Sequence, residues 1–264
     1  MTKRAGVVHQ ARVFRGCQVT VKALWLIGAT TMLITGTGFA QNTAAPSAPP
    51  TAEQIAATTP VAKEATAGAT MRWIAHDAAK IAKGKALFAA CGACHGAEGE
   101  GRQGMGPRLN STTFLAAASD DFLVQTISQG RAGTTMIPWA ASFKPEDIQS
   151  IIAFLRFLNP VPAAPLNEVT LRGDTTSGQG IYASICAGCH GRTGAGYQET
   201  ANGTGIGRAA FLDTVSNGFL RYIIKHGKSG TKMRPFAKES KVAVANLSDQ
   251  QVEDVIAYLR SQSW

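Results

Sequence analysis

The sequence repeats itself. Cys91-Gly92-Ala93-Cys94-His95 returns 95 residues later as Cys186-Ala187-Gly188-Cys189-His190, and each copy follows a short apolar pair, Leu87-Phe88 and Ile181-Tyr182. Further on, Phe122, Leu123, Ile127, Gly130, Gly133 and Met136 fall on Phe219, Leu220, Ile224, Gly227, Gly230 and Met233 at an offset of 97. So many coincidences in one register mean that a single structural plan is built twice.

A third element closes each copy. Ile148, Ile151, Ile152 and Leu155, and then Val252, Val255, Ile256 and Leu259, stand at i, i+3, i+4 and i+7, the period of an amphipathic helix. Ser248 with Gln251 forms a capping-box pattern, and Pro145 followed by Glu146 and Asp147 suits a first helical turn. Here the offset has grown to 104, which places about seven extra residues of the second copy in a surface loop over residues 238–246. The first copy has one residue fewer between Phe88 and Cys91 than the second has between Tyr182 and Cys186, which predicts a local helix adjustment. No stretch alternates as a strand does, so the fold is expected to be all-α.

Asn159-Pro160-Val161-Pro162-Ala163-Ala164-Pro165 cannot continue a helix and marks the boundary. The expected organisation is a first domain over residues 71–159, a proline-rich linker over 160–168 and a second domain over 169–264. Residues 41–70 are rich in Ala, Pro and Thr and read as a flexible tether. Within residues 1–40, Lys3, Arg4, Arg12, Arg15 and Lys22 precede an apolar run from Ala23 to about Thr35 and then Gly38-Phe39-Ala40, the pattern of a signal peptide or, if uncleaved, of an N-terminal membrane anchor. Either way the rest of the chain is expected on the far side of the membrane, the periplasm of a Gram-negative cell. Cys17 stays with that segment.

The formal charge of +9 falls once the signal is set aside: 21 basic against 17 acidic residues remain, a net of +4. That is too mild for a nucleic-acid binder, and no basic stripe carries interleaved aromatics; protein docking is the expectation. With 7% aromatics and 28 glycines, two cores of this size would be thin without a large flat cofactor to fill them.

Cys-x-x-Cys-His supplies that cofactor. Two thiols so spaced reach the two vinyl groups of one haem while the adjacent histidine meets the iron. A redox disulfide or half of a zinc site competes for one copy, but two copies, both with the histidine, favour haem. Low-spin haem takes a sixth ligand, and Met136 and Met233, 41 and 43 residues after His95 and His190 and each two residues before a proline, are the candidates. Met71, Met105, His76 and His226 have no counterparts in the repeat and read as core, loop or surface residues.

On these motifs each half resembles a class I cytochrome c domain, and the pair resembles the tandem dihaem cytochromes c, over about residues 78 to 260. The resemblance implies two helical domains, each wrapped around one covalent haem c. Cys91, Cys94, Cys186 and Cys189 would form thioethers, His95 and His190 bind iron proximally, and Met136 and Met233 bind it distally. Gly106-Pro107-Arg108-Leu109 matches the family loop whose proline carbonyl, here of Pro107, accepts from the proximal histidine. The second half carries Gly205-Ile206-Gly207-Arg208, without the proline, which puts that bond to His190 in question. Lys225, Lys228, Lys232, Arg234, Lys238 and Lys241 surround Met233, whereas only Arg131 and Lys144 lie near Met136. Beyond its reading as a solvated face, such a collar would steer acidic redox partners. The expected function is electron transfer between a respiratory donor and acceptor, without catalysis. The alternatives are a cytochrome subunit of a membrane dehydrogenase or oxidase, and a dihaem peroxidase or thiosulfate-oxidising enzyme.

Overall fold

A computed structural model of the chain describes residues 70–262. The signal or anchor over 1–40, the tether up to residue 69 and Cys17 lie outside the described residues. The elements, in order, are α1 (Ala78–His95), α2 (Thr112–Ala117), α3 (Asp120–Gln129), α4 (Pro145–Leu158), α5 (Thr175–Ile181), a π-helical turn (Tyr182–Cys186), α6 (Ala187–His190), α7 (Ala209–Leu212), α8 (Asn217–His226) and α9 (Asp249–Ser261). Among the described residues there is no strand, only two isolated bridges, Arg102 with Gly106 and Ala237 with Leu247.

Each half is framed by its first and last helices. α1 packs on α4 and α5 on α9, with ring centroids 5.4 Å apart for both Phe88–Phe154 and Tyr182–Tyr258. The apolar stripes read from the sequence face inward: Ile148, Ile151, Ile152 and Leu155 are buried, as are Val252, Val255, Ile256 and Leu259. The caps follow the sequence too. Asp77 and Asp174 accept from the first turns of α1 and α5, Ser119 and Ser216 from those of α3 and α8. Ser248 and Gln251 bond reciprocally at the start of α9. Such caps satisfy N–H groups that the helix itself leaves free.

The extra residue before Cys186 is taken up by the π-helical turn, which widens one turn of the ladder and lets α6 resume in phase with α1. The extra residues near 238–246 form a loop pinned by Lys238 N–H to the Leu247 carbonyl and Val244 N–H to the Pro235 carbonyl. The proline-rich connection is tied down rather than free. Thr70 N–H donates to the Ala164 carbonyl and Ala164 N–H to that of Ala116, while Glu168 accepts from Gly218 N–H.

The halves meet through α2, α3, α7 and α8 by reciprocal contacts of the kind that a twofold axis generates. Phe122 and Phe219, equivalent in the repeat, lie with ring centroids 5.3 Å apart. On either side of them the Arg131 guanidinium stands 4.8 Å from the Phe211 ring, and the Lys228 ammonium 4.7 Å from the Phe114 ring. Arg131 and Lys228 are equivalents at an offset of 97, and so are Phe114 and Phe211.

Candidate functional site

The first Cys-x-x-Cys-His motif occupies the last turn of α1, and the second runs from Cys186 at the end of the π-helical turn through α6; in a helical turn i, i+3 and i+4 share one face. Each helix stops at a glycine of positive φ, Gly96 at 79° and Gly191 at 86°, so that the chain turns back across its own end. The returning loop comes so close that a Cβ on Gly106 would lie 2.4 Å from the Cys94 carbonyl oxygen, and one on Gly203 would lie 2.6 Å from that of Cys189. Only glycine admits that approach.

It places an acceptor beside each imidazole. His95 Nδ1 lies 2.9 Å from the Pro107 carbonyl oxygen, and His190 Nδ1 lies 2.8 Å from that of Thr204. The second bond corrects the sequence reading, which set Gly205-Ile206-Gly207-Arg208 against Gly106-Pro107-Arg108-Leu109. The true counterpart is Gly203-Thr204-Gly205-Ile206, at the same offset of 97 as the methionine loop. Any residue offers a carbonyl, so proline is dispensable. With Nδ1–H donating, Nε2 of each ring is the nitrogen free for a metal. Burial lowers the pKa of both histidines, and Lys228 adds to it against the opposing carbonyl bonds, a shift toward the neutral imidazole that metal ligation uses.

The four motif cysteines form no disulfide. Burial, with the neighbouring thiol, pushes Cys91 and Cys186 up to about 11. A redox Cys-x-x-Cys pair works the other way, with a lowered thiol pKa, so the disulfide reading loses support. Among the described residues no three His, Cys, Asp or Glu side chains converge as a metal cage.

The methionine loops are built identically. Arg131 N–H donates to the Met136 carbonyl and Lys228 N–H to the Met233 carbonyl, both at 2.8 Å. Met136 N–H and Met233 N–H in turn donate to the hydroxyls of Thr134 and Thr231, both at 3.1 Å. These threonines, not singled out in the sequence, were findable there as one more pair at an offset of 97. Met233 and Lys228 line one cavity of about 340 Å³, together with Gly230 and Pro235. Met71 and Met105 are exposed, as is His226, whereas His76 is half-buried and its Nε2 lacks a partner.

The basic collar is smaller than the sequence suggested. Lys225 pairs with Asp249 and Lys228 turns into the interface, leaving Lys232, Arg234, Lys238 and Lys241 exposed. At the position equivalent to Arg234, the first half exposes Ile137.

Two helical halves, each ending a helix on Cys-x-x-Cys-His with a carbonyl on Nδ1 and a braced methionine loop beyond, define a protein with two c-type haem sites. Comparison with known proteins agrees. Residues 175–263 match the family described as Cytochrome c, and residues 79–155 match Cytochrome C oxidase, cbb3-type, subunit III. The chain is 32% identical to the cbb3-type cytochrome c oxidase subunit CcoP of Rubrivivax gelatinosus over 72% of its own length and 57% of that protein's. It is 33% identical to subunit FixP of Azorhizobium caulinodans over 52% and 50%, and 26% identical to cytochrome c4 of Azotobacter vinelandii over 48% and 66%. The chain thus spans a little over half the length of the first of these relatives. It is a tandem of two cytochrome c domains with two sites for covalently bound haem c.

Proposed function

We propose that this is an exported carrier that passes single electrons between a respiratory donor and acceptor through two six-coordinate haem sites. Cys91 and Cys94 in the first half, and Cys186 and Cys189 in the second, would hold the haems as thioethers. His95 and His190 would be the proximal ligands, oriented by the carbonyls of Pro107 and Thr204, and Met136 and Met233 the distal ones. Bound there, haem supplies a reversible one-electron couple, and a thioether ligand favours its reduced state. The observation that carries this reading is that both halves brace histidine and methionine in the same way, so neither site is arranged to stay open for a substrate. That weighs against a peroxidase or a thiosulfate-oxidising enzyme.

The two faces suit different partners. Lys232, Arg234, Lys238 and Lys241 fit an acidic surface, whereas Ile137 offers the first half an apolar contact. The basic and apolar segments before residue 41 support export to the periplasm, cleaved or retained as an anchor. No helix among the described residues is long and apolar enough to cross a membrane.

Carbon monoxide added to the fully reduced protein tests the ligation. An unchanged absorption spectrum is expected, and a shift in about half of the haem would make the responding half a candidate catalytic site. A second reading, a cytochrome subunit held in an oxidase, draws on the match of residues 79–155 to a cbb3-type subunit family. Stable co-purification with other oxidase subunits would establish it.

A further inference from the structure

Among the described residues, the buried and half-buried arginines away from the interface between the halves meet a carboxylate or several backbone carbonyls. Arg156 meets Asp120 at 2.8 Å, Arg221 meets Glu253, and Arg260 donates to the carbonyls of Leu212 and Val215. The interface between the halves is different. There Arg131 and Lys228 stack on Phe211 and Phe114 of the opposite half. The Arg208 guanidinium reaches Gly133 in the first methionine loop, and that of Arg108 reaches Gly230 in the second: a Cβ on either glycine would stand 2.8 and 2.6 Å from a guanidinium nitrogen. Among the described residues no carboxylate lies within ion-pair distance of any of the four. Arg131 Nη2 donates to Thr126 and Arg208 Nη2 to Gln198, both uncharged, while Arg131 Nη1 and Arg208 Nε are buried without a partner. Burial, with Arg131 and Arg108 nearby, pushes the Lys228 ammonium down to about 7, and burial pushes Arg131 down to about 10.

Four partly buried cations drawn together without a carboxylate partner repel one another, an arrangement that an anion would complete. All four adjoin the haem-site loops. Arg108 follows Pro107, Arg131 and Lys228 open the methionine loops, and Arg208 reaches Gly133 in the first of them. Each haem carries two carboxylate side chains, so two haems bring four negative charges to four positive ones.

We propose that Arg108, Arg131, Arg208 and Lys228 form one shared site for the carboxylates of both haems, each half supplying cations to the haem of the other. This rests on the haem ligation proposed above. The pairing across the interface makes the halves electrostatically interdependent: a cation removed from one half is felt by the haem of the other. A positive charge near a haem disfavours its oxidised form, so loss of that charge lowers the reduction potential.

The test is spectroelectrochemical titration of the holoprotein with Arg131→Gln and, separately, Lys228→Gln. A Met136→His background labels the first haem by its lower potential. Each variant is expected to lower the potentials of both haems, while Lys228→Arg keeps them at the parental values and Phe114→Leu, which removes the ring but not the charge, leaves them in place. Potentials unmoved by the glutamine variants, or a shift confined to the mutated half, would overturn the shared site. Failure of the ligation itself would show differently, as loss of the low-spin haem spectrum in the parent protein. Should a glutamine variant not fold, Arg108→Gln, at the edge of the cluster, carries the same expectation.

Discussion

Gly178 crosses Asp254 so closely that a methyl group on it would stand 1.9 Å from the Asp254 carbonyl oxygen, and Gly84 stands in the same relation to Ser150, at 1.8 Å. These glycines set the crossing of the first and last helices in each half, one turn before Phe88 and Tyr182. Neither backbone can yield without shifting the Phe88–Phe154 or Tyr182–Tyr258 pair. Gly84→Ala and Gly178→Ala are each expected to destabilise their half at the upper end of the overpacking range of about 1–3 kcal/mol. A fall in the midpoint of urea unfolding, followed by circular dichroism, checks this.

The π-helical turn makes a second expectation. Half one reaches Cys91 from Phe88 with one residue fewer and stays α-helical, so deletion of Ser184 should convert Tyr182–Cys186 to an α-helical turn and leave the motif in phase. Ser184 is exposed and bonds only to the Gly180 and Ile181 carbonyls of its own helix. Intact mass and haem content should still give two haems per chain. A single haem would mean that the extra residue sets the geometry of attachment.

How much of this was legible in the sequence follows from the range of each interaction. Helix periodicity, caps and the motif spacing are local, so α4, α9, the Ser248 capping box and the helix adjustment before Cys186 could be read directly. The acceptor of His190 was misplaced because it is a backbone carbonyl, which leaves no side-chain signature; only the register of 97 pointed to Thr204. Lys228 was read as part of a surface collar because a lysine beside five other basic residues looks solvated. Its burial depends on Phe114, more than a hundred residues away, and on a packing between halves that no local pattern encodes.

Acid should act on the second half through Asp254. Burial alone would raise its pKa, but hydrogen bonds from Asp174 N–H, Gln250 and Ser177 hold it below the ordinary carboxylate value. A native pKa below that of the unfolded chain contributes stability above the unfolded value, about 3.9, and that contribution is lost as pH falls through the native one. The melting temperature should therefore drop below about pH 4, and Asp254→Asn, measured over the same range, should show a lower plateau and a flatter acid limb.

Asp120 holds the first half in a comparable way but deeper. It is fully buried, accepts from Trp73 N–H and Ile74 N–H at 2.7 and 2.8 Å, and pairs with Arg156, which also donates to the Leu115 and Ala118 carbonyls. Asp120→Asn leaves the guanidinium buried without its counter-charge, at a cost of about 3–5 kcal/mol. Thermal unfolding of the variant should show the loss, and replacing Arg156 with methionine in the same chain should recover part of it, since an apolar pair removes the uncompensated charge.

The threonines of the methionine loops give the last expectation, and it bears on the proposed ligation. Thr134 Oγ1 accepts from Met136 N–H and donates to the Arg131 carbonyl at 2.8 Å; Thr231 does the same for Met233 and Lys228, at 2.7 Å. The hydroxyl thus holds each loop closed around its methionine. Valine keeps the shape and removes both bonds. Each hydrogen bond contributes about 1 kcal/mol net, so the equilibrium for release of the methionine should move by a factor of about five or more. If Met136 and Met233 are the distal ligands, Thr134→Val and Thr231→Val will each lose the methionine-to-iron charge-transfer absorption of one haem at a lower alkaline pH than the parent. An unchanged transition in both variants would mean that the loops are held by the Arg131 and Lys228 backbone bonds alone.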